Sequence, residues 1–234
     1  MRVSRIRVIV VVLALALICP AAHAATEREL LQLFAAGNVK WLAEPLLKAA
    51  QEIAQIQNPG SELEKFHGLC LLKVGYIRLY EGNADQAQRY ILQSVPRFEA
   101  ALRHKPKDIE AMFGRAMAYI TLAQMGPQLM TRYAPDVDLA LQAMDGVDPY
   151  HFLSIEAKAA RGLVLPAQLG GDPAKSEVDL ELLLQYEPEN TEVLCWLAVA
   201  QSRNGHDEQA RATLKKVLAI NPDHLRAKKL LQRM

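Results

Sequence analysis

From residue 27 onward, apolar residues recur every three to four positions, and no window alternates with a period of two. That spacing predicts amphipathic helices throughout, because a period near 3.6 places apolar side chains on one helical face. Nine breakers separate them: Asn58-Pro59-Gly60, Gly82-Asn83, Lys105-Pro106, Asp145-Gly146, Asp148-Pro149, Gly170-Gly171, Glu187-Pro188, Asn204-Gly205 and Asn221-Pro222. The pattern predicts helices over 27–36, 39–57, 61–81, 84–104, 107–125, 136–145, 150–169, 173–186, 191–204, 207–220 and 223–233. Ser61 with Glu64 reads as a capping box, and Asp136, Asp172 and Asn190 as N-caps. The stretch from Met125 to Pro135, rich in Met and Pro, reads as an insertion before the helix at 136.

Four of the breakers also mark a repeat. Gly171 and Gly205, Ser176 and Ala210, Leu180 and Leu214, Leu184 and Leu218, and Pro188 and Pro222 each stand 34 residues apart. A fixed period of this size marks a solenoid, whose units bury their apolar faces only by stacking on one another. Small residues at Ala198 and Ala210 allow the two helices of a hairpin to approach closely. Gly205 ends the first helix in a left-handed cap and Pro222 stops the second.

The unit carrying Leu194, Leu197, Ala198, Gly205, Ala210, Leu214 and Pro222 resembles the tetratricopeptide repeat. The unit before it repeats the pattern through Leu163, Gly171, Ser176, Leu180 and Pro188, departing at Ala160, where the family is bulky. Earlier units match more loosely, through Leu71, Val74, Gly75, Gly82, Ala87, Ile91, Ala101 and Pro106, and through Met112, Ala116, Tyr119, Ala140, Leu141 and Pro149. The resemblance implies an all-α, right-handed α-α superhelix of antiparallel helix pairs. Repeats at about 61–106, 107–149, 150–188 and 189–222 would lie between a degenerate N-terminal hairpin (25–60) and a capping helix (223–234). A narrower resemblance joins Gly162-Leu163-Val164-Leu165-Pro166 and Gly170 to Ser176 to the T-component proteins of tripartite periplasmic (TRAP) transporters. Those are exported repeat proteins with an apolar channel.

The chain opens on a different pattern. Arg2, Arg5 and Arg7 precede an unbroken apolar run from Val8 to Ile18, then Pro20 and Ala22-His23-Ala24. This is the three-part layout of a signal peptide (1–24) cleaved after Ala24, and it predicts a periplasmic protein that meets the membrane only through its leader. An uncleaved anchor is the alternative. Ile18 before Cys19 excludes lipoprotein processing, which needs a small residue there.

Without the leader, 24 basic residues face 26 acidic ones. So balanced a chain has no concentrated basic surface for nucleic acid. Cys70 and Cys195 remain, either as two buried thiols or as a disulfide pair. The sequence holds no nucleophile elbow, phosphate loop, dinucleotide fingerprint or zinc-helix motif, so no catalytic, cofactor-binding or metal site is predicted. His67, His104, His206 and His224 read as surface or helix-end residues. The acidic stretch Asp136, Asp138, Asp145 and Asp148 lacks the glycine and terminal Glu of a calcium loop. Lys215, Lys216, Arg226, Lys228, Lys229 and Arg233 read as a basic C-terminal end.

The tetratricopeptide resemblance also implies which residues line the concave groove: Leu72, Tyr76, Phe113, Met117, Ile120 and Leu165, with Arg161 and Arg203 on the polar side. The expected function is a non-catalytic scaffold or adaptor holding a peptide or protein partner of the cell envelope in that groove. The alternative, carried by the T-component resemblance, is an accessory protein binding a hydrophobic small molecule. Whether the strip is an open groove or is folded over into core is left to the structure.

Overall fold

A computed structural model describes the backbone of residues 22–234. The expected signal peptide (1–24) lies outside the described residues, apart from residues 22–24, which start the first helix. Eleven α-helices follow one another with no strand among the described residues: α1 (Ala22–Lys40), α2 (Ala43–Ala54), α3 (Ser61–Tyr80), α4 (Ala84–His104), α5 (Ile109–Gln124) and α6 (Pro127–Asp145). Then come α7 (Phe152–Val164), α8 (Pro173–Tyr186), α9 (Thr191–Arg203), α10 (Asp207–Ile220) and α11 (Leu225–Arg233). The architecture is the all-α superhelix of helix pairs that the periodicity predicts. Consecutive helices pack as hairpins, α3 with α4, α5 with α6, α7 with α8 and α9 with α10.

The hairpins stack through their first helices, α3 on α5, α5 on α7 and α7 on α9. The row does not stay open. The short α11, packed on α10, also returns against α3 and closes it. Three apolar cores result: one around α1–α3, a large central one running from α3 to α9, and a small one under α9–α11.

Local chemistry accounts for the helix ends, with several departures from expectation. Gly205 and Gly82 adopt left-handed φ values of 82° and 91°, and each is followed by an amide that bonds back five residues: His206 to Gln201 O at 2.8 Å and Asn83 to Arg78 O at 2.8 Å. Asp172 and Asn190 cap α8 and α9 as expected, accepting from Lys175 N and from Glu192 N and Val193 N. The Ser61–Glu64 capping box does not form. Gly60 is the cap, Ser61 donates to Ala101 O at 3.1 Å, and Glu64 faces Arg97.

Asp136 is not a cap either, because the Met- and Pro-rich stretch is helical from Pro127 onward. Pro127 suits the first turn, where its missing N–H costs nothing. Pro135 is tolerated inside α6 because its neighbours Tyr133, Ala134 and Val137 are buried, and Tyr133 stacks on Tyr119 at 6.0 Å. The helix expected to reach residue 169 instead ends at Val164: Leu165 turns extended ahead of Pro166, and Ala167–Leu169 form one 3-10 turn.

Candidate functional site

The inner row of helices carries the residues expected to line a groove. Leu72, Met117, Ile120 and Leu165 are buried together in the central core, with Tyr76 and Phe113 packed against it and half-buried. Arg161 is bonded within the protein. Its Nε bonds Asp138 at 2.7 Å, and its terminal nitrogens donate to Gly170 O at 2.8 Å and Leu169 O at 3.0 Å, fastening the α7–α8 turn to α6. Arg203 is exposed at the end of α9 and takes no part in the cluster.

At the centre of the ring, side chains from both ends of the chain meet. Lys73 on α3 donates to Glu192 on α9 at 2.9 Å, and its ammonium lies 3.5 Å from the centroid of Trp41, in the α1–α2 turn. The His224 ring packs against that indole at a tilt of 51°, with centroids 4.6 Å apart. Arg226, on α11, lies 3.9 Å over the ring of Trp196 and 3.5 Å from Glu192. Two cations thus share one carboxylate, and each also rests on an indole face, where the negative quadrupole offsets part of the lost hydration. Trp41 holds a left-handed φ of 55°, unusual for a bulky residue, and is 5% exposed. Asn221 Nδ2 adds a bond to Val39 O at 2.9 Å, tying the last turn to α1.

The electrostatics follow from this geometry. Burial alone would raise the Glu192 carboxyl, but Lys73, His224 and Arg226 together hold it down at about 2. Because 37% of the Glu192 side chain still meets solvent, that pull is partly screened. Burial pushes His224 down to about 4 and keeps it neutral; its Nδ1 accepts from Ala227 N, capping α11. The Cys195 thiol, 3.9 Å from His224, is pushed up to about 12 by burial and is inert as a nucleophile. Cys70 is likewise a buried free thiol in the N-terminal core, so the two cysteines are not a disulfide.

A cavity remains beside the clasp, lined by Tyr76, Leu79, Tyr80, Thr121, Gln124, Trp196 and Arg226. Only about 10 Å³ of it admits the centre of a water molecule. That is room for about one water, against several hundred Å³ for a typical small-molecule site. A larger hollow of about 570 Å³ at Lys105, Pro106, Lys107 and Asp108 is an open depression on a surface turn.

Three residues of the acidic stretch have structural partners. Asp138 and Asp145 pair with Arg161 and Lys158, and Asp148 accepts from Tyr150 N. Among the described residues no group of three or more His, Cys, Asp or Glu could hold a metal ion, and no helix is long and apolar enough to cross a membrane. Sequence reasoning missed the clasp. It read His67 and His224 as surface or helix-end residues and Arg226 as part of a basic C-terminal end, yet they are 6%, 1% and 6% exposed. The signal available was Trp196, one of only two tryptophans, two residues before the small Ala198 of the repeat.

Comparison with known proteins agrees with this architecture. Residues 169–234 match the tetratricopeptide repeat family. Among solved structures, the chain is similar to a thermophilic TPR protein in Thermus thermophilus. The TM-score is 0.56 at 20% identity, covering 91% of this chain and 98% of that one. No match is found among curated proteins. The fold is therefore that of a tetratricopeptide solenoid, with the family match running over α8 to α11.

Proposed function

We propose that this chain is a non-catalytic scaffold of the periplasm, exported with cleavage after Ala24, that holds a protein partner. The observation that carries the reading is a solenoid whose inner strip is occupied by its own side chains. Such a strip rigidifies the ring and leaves the outward helix faces and turns to meet other molecules. Large apolar side chains are displayed there, Tyr150 at 85% and Tyr186 at 74% exposure among them. A buried clasp of neutral imidazole, unreactive thiol and mutually paired ions offers neither a nucleophile nor a base with access to substrate. The peptide-in-groove mode would require a partner segment to displace Arg226 and α11 from the inner strip, and docking on the outer surface needs no such displacement.

The test is expression of the full chain in a Gram-negative host with a photocrosslinking residue placed at Tyr150, Tyr186 or Phe113. Mature protein beginning at Ala25 and discrete protein adducts from the outward positions are expected. A mature chain that retains Met1, or the absence of any adduct from all three positions, would defeat the proposal.

A further inference from the structure

Helix α8 is apolar on two sides. Its inward side buries Leu180 and Leu183. On its outward side Val178, Leu182 and Tyr186 follow one another at intervals of four, so they form one ridge along the helix. They are exposed by 64%, 40% and 74%. With a rise of about 1.5 Å per residue, the ridge is about 12 Å long. The fold does not require it. One repeat later, the same positions of α10 are Ala212, Lys216 and Ile220, and that helix packs as well.

The flanks of the ridge are acidic. From Pro173 to Asn190 the only basic residue is Lys175, against Glu177, Asp179, Glu181, Glu187 and Glu189. Glu177 is engaged by Asn204 and His206, and Glu187 by Asn190. Asp179, Glu181 and Glu189 form no ion pair among the described residues, and the latter two are exposed. An apolar ridge between unneutralised carboxylates is complementary to an amphipathic helix whose apolar stripe is bordered by Lys or Arg.

We infer that the outer face of α8 is the docking surface of this scaffold and that its occupant is a basic amphipathic helix of a partner protein. The inference rests on the scaffold reading above. The apolar ridge supplies the affinity, and the carboxylates select the sign of the partner and speed its approach.

The experiment measures binding of a fluorescein-labelled 18-residue helix of leucine and lysine, with its leucines in one stripe, to the full chain by anisotropy. The control peptide has every lysine replaced by glutamate. The lysine peptide should bind and the glutamate peptide should not. Leu182→Ser with Tyr186→Ser should weaken binding by about tenfold or more, since burying one such side chain is worth about a decade in affinity. Asp179→Lys with Glu181→Lys should weaken it and flatten its salt dependence. All four positions lie outside the core, and an unchanged circular dichroism melt checks that the variants fold. Equal binding of both peptides, no binding, or indifference to Leu182→Ser with Tyr186→Ser would overturn the inference. So would self-association in sedimentation that the same substitutions abolish, which would give the ridge to a second copy. If the peptide fails while a photocrosslinker at Tyr150 still captures a protein, the docking surface is wrong and the scaffold reading stands.

Discussion

Acid should loosen this protein well before its carboxylates are titrated. Burial holds both His67 and His224 neutral, lowering each from 6.5 to about 4, with Arg97 adding to the effect at His67. The unfolded chain exposes both imidazoles and binds their protons more readily, so the folded state loses ground as protons become available. Their contribution is complete above pH 6.5, falls away as the pH drops toward 4, and does not change further below that. A drop of this size corresponds to about 3 kcal/mol for each histidine, a large share of the roughly 5–15 kcal/mol that typically separates folded from unfolded chains. The depressed carboxylate Glu192 acts in a lower window: its contribution is present above its ordinary 4.5 and is lost only as the pH falls toward 2. Between pH 6.5 and 4.5 the histidines therefore dominate.

His224 is faced by Glu192, Lys73, Arg226, Cys195 and Trp41, so its proton would join a cluster that already holds two cations and one anion. Both tryptophans of the chain stand in this clasp, which makes their fluorescence a direct reporter. Urea denaturation followed by that fluorescence at pH 7.5 and 4.5, at constant ionic strength, should show several kcal/mol lost at the lower pH. His224→Asn keeps a side-chain acceptor at the α11 cap and does not titrate, so it should lose about 2–3 kcal/mol less than wild type over the same interval. Equal losses in the two proteins would refute the reasoning.

Two further outcomes follow from the packing. A methyl group at Gly114 would collide with the ring of Phe98, which is fully buried and pressed by Gly68 from a second direction, so Gly114→Ala should cost about 1–3 kcal/mol in thermal or urea unfolding. Adding Phe98→Leu should recover part of that loss, and a double variant no better than the sum of the single ones would sink the account. Cys70 and Cys195 should resist a thiol-specific reagent in the native protein and react fully once it is unfolded in urea, because burial pushes both thiols up; rapid labelling of the folded protein would contradict it.

What the sequence disclosed and what it concealed divide along the range of the interactions. The left-handed cap at Gly205 and the side-chain caps at Asp172 and Asn190 are decided within one turn, so residue type and spacing reveal them. The helical course of residues 127–135 was hidden because its two prolines argue locally for a loop. Burial of Tyr133 and Val137 against α5 and its neighbours outweighs them. The clasp was hidden more deeply. Lys73 and Glu192 are 119 residues apart, and no periodicity connects them. The same holds for the expected groove: Leu72, Met117, Ile120 and Leu165 lie together in the central core, but the return of α11 to α3 is invisible to a repeat pattern.

Repeat arrays ordinarily unravel in pieces, since each unit answers only to its neighbours and a terminal unit can fray at little cost to the rest. The bond from Asn221 to Val39 spans 182 residues and, with the Lys73–Glu192 pair, makes the two ends of this array neighbours. A unit can then no longer open without disturbing its opposite, so the chain behaves less like a row of beads than like a hoop under a single fastening. The entropy of bringing such distant segments together must be met before the contacts return anything, which slows assembly. In exchange the hoop has no free end from which melting can spread, a form of kinetic protection that an open solenoid of equal length lacks.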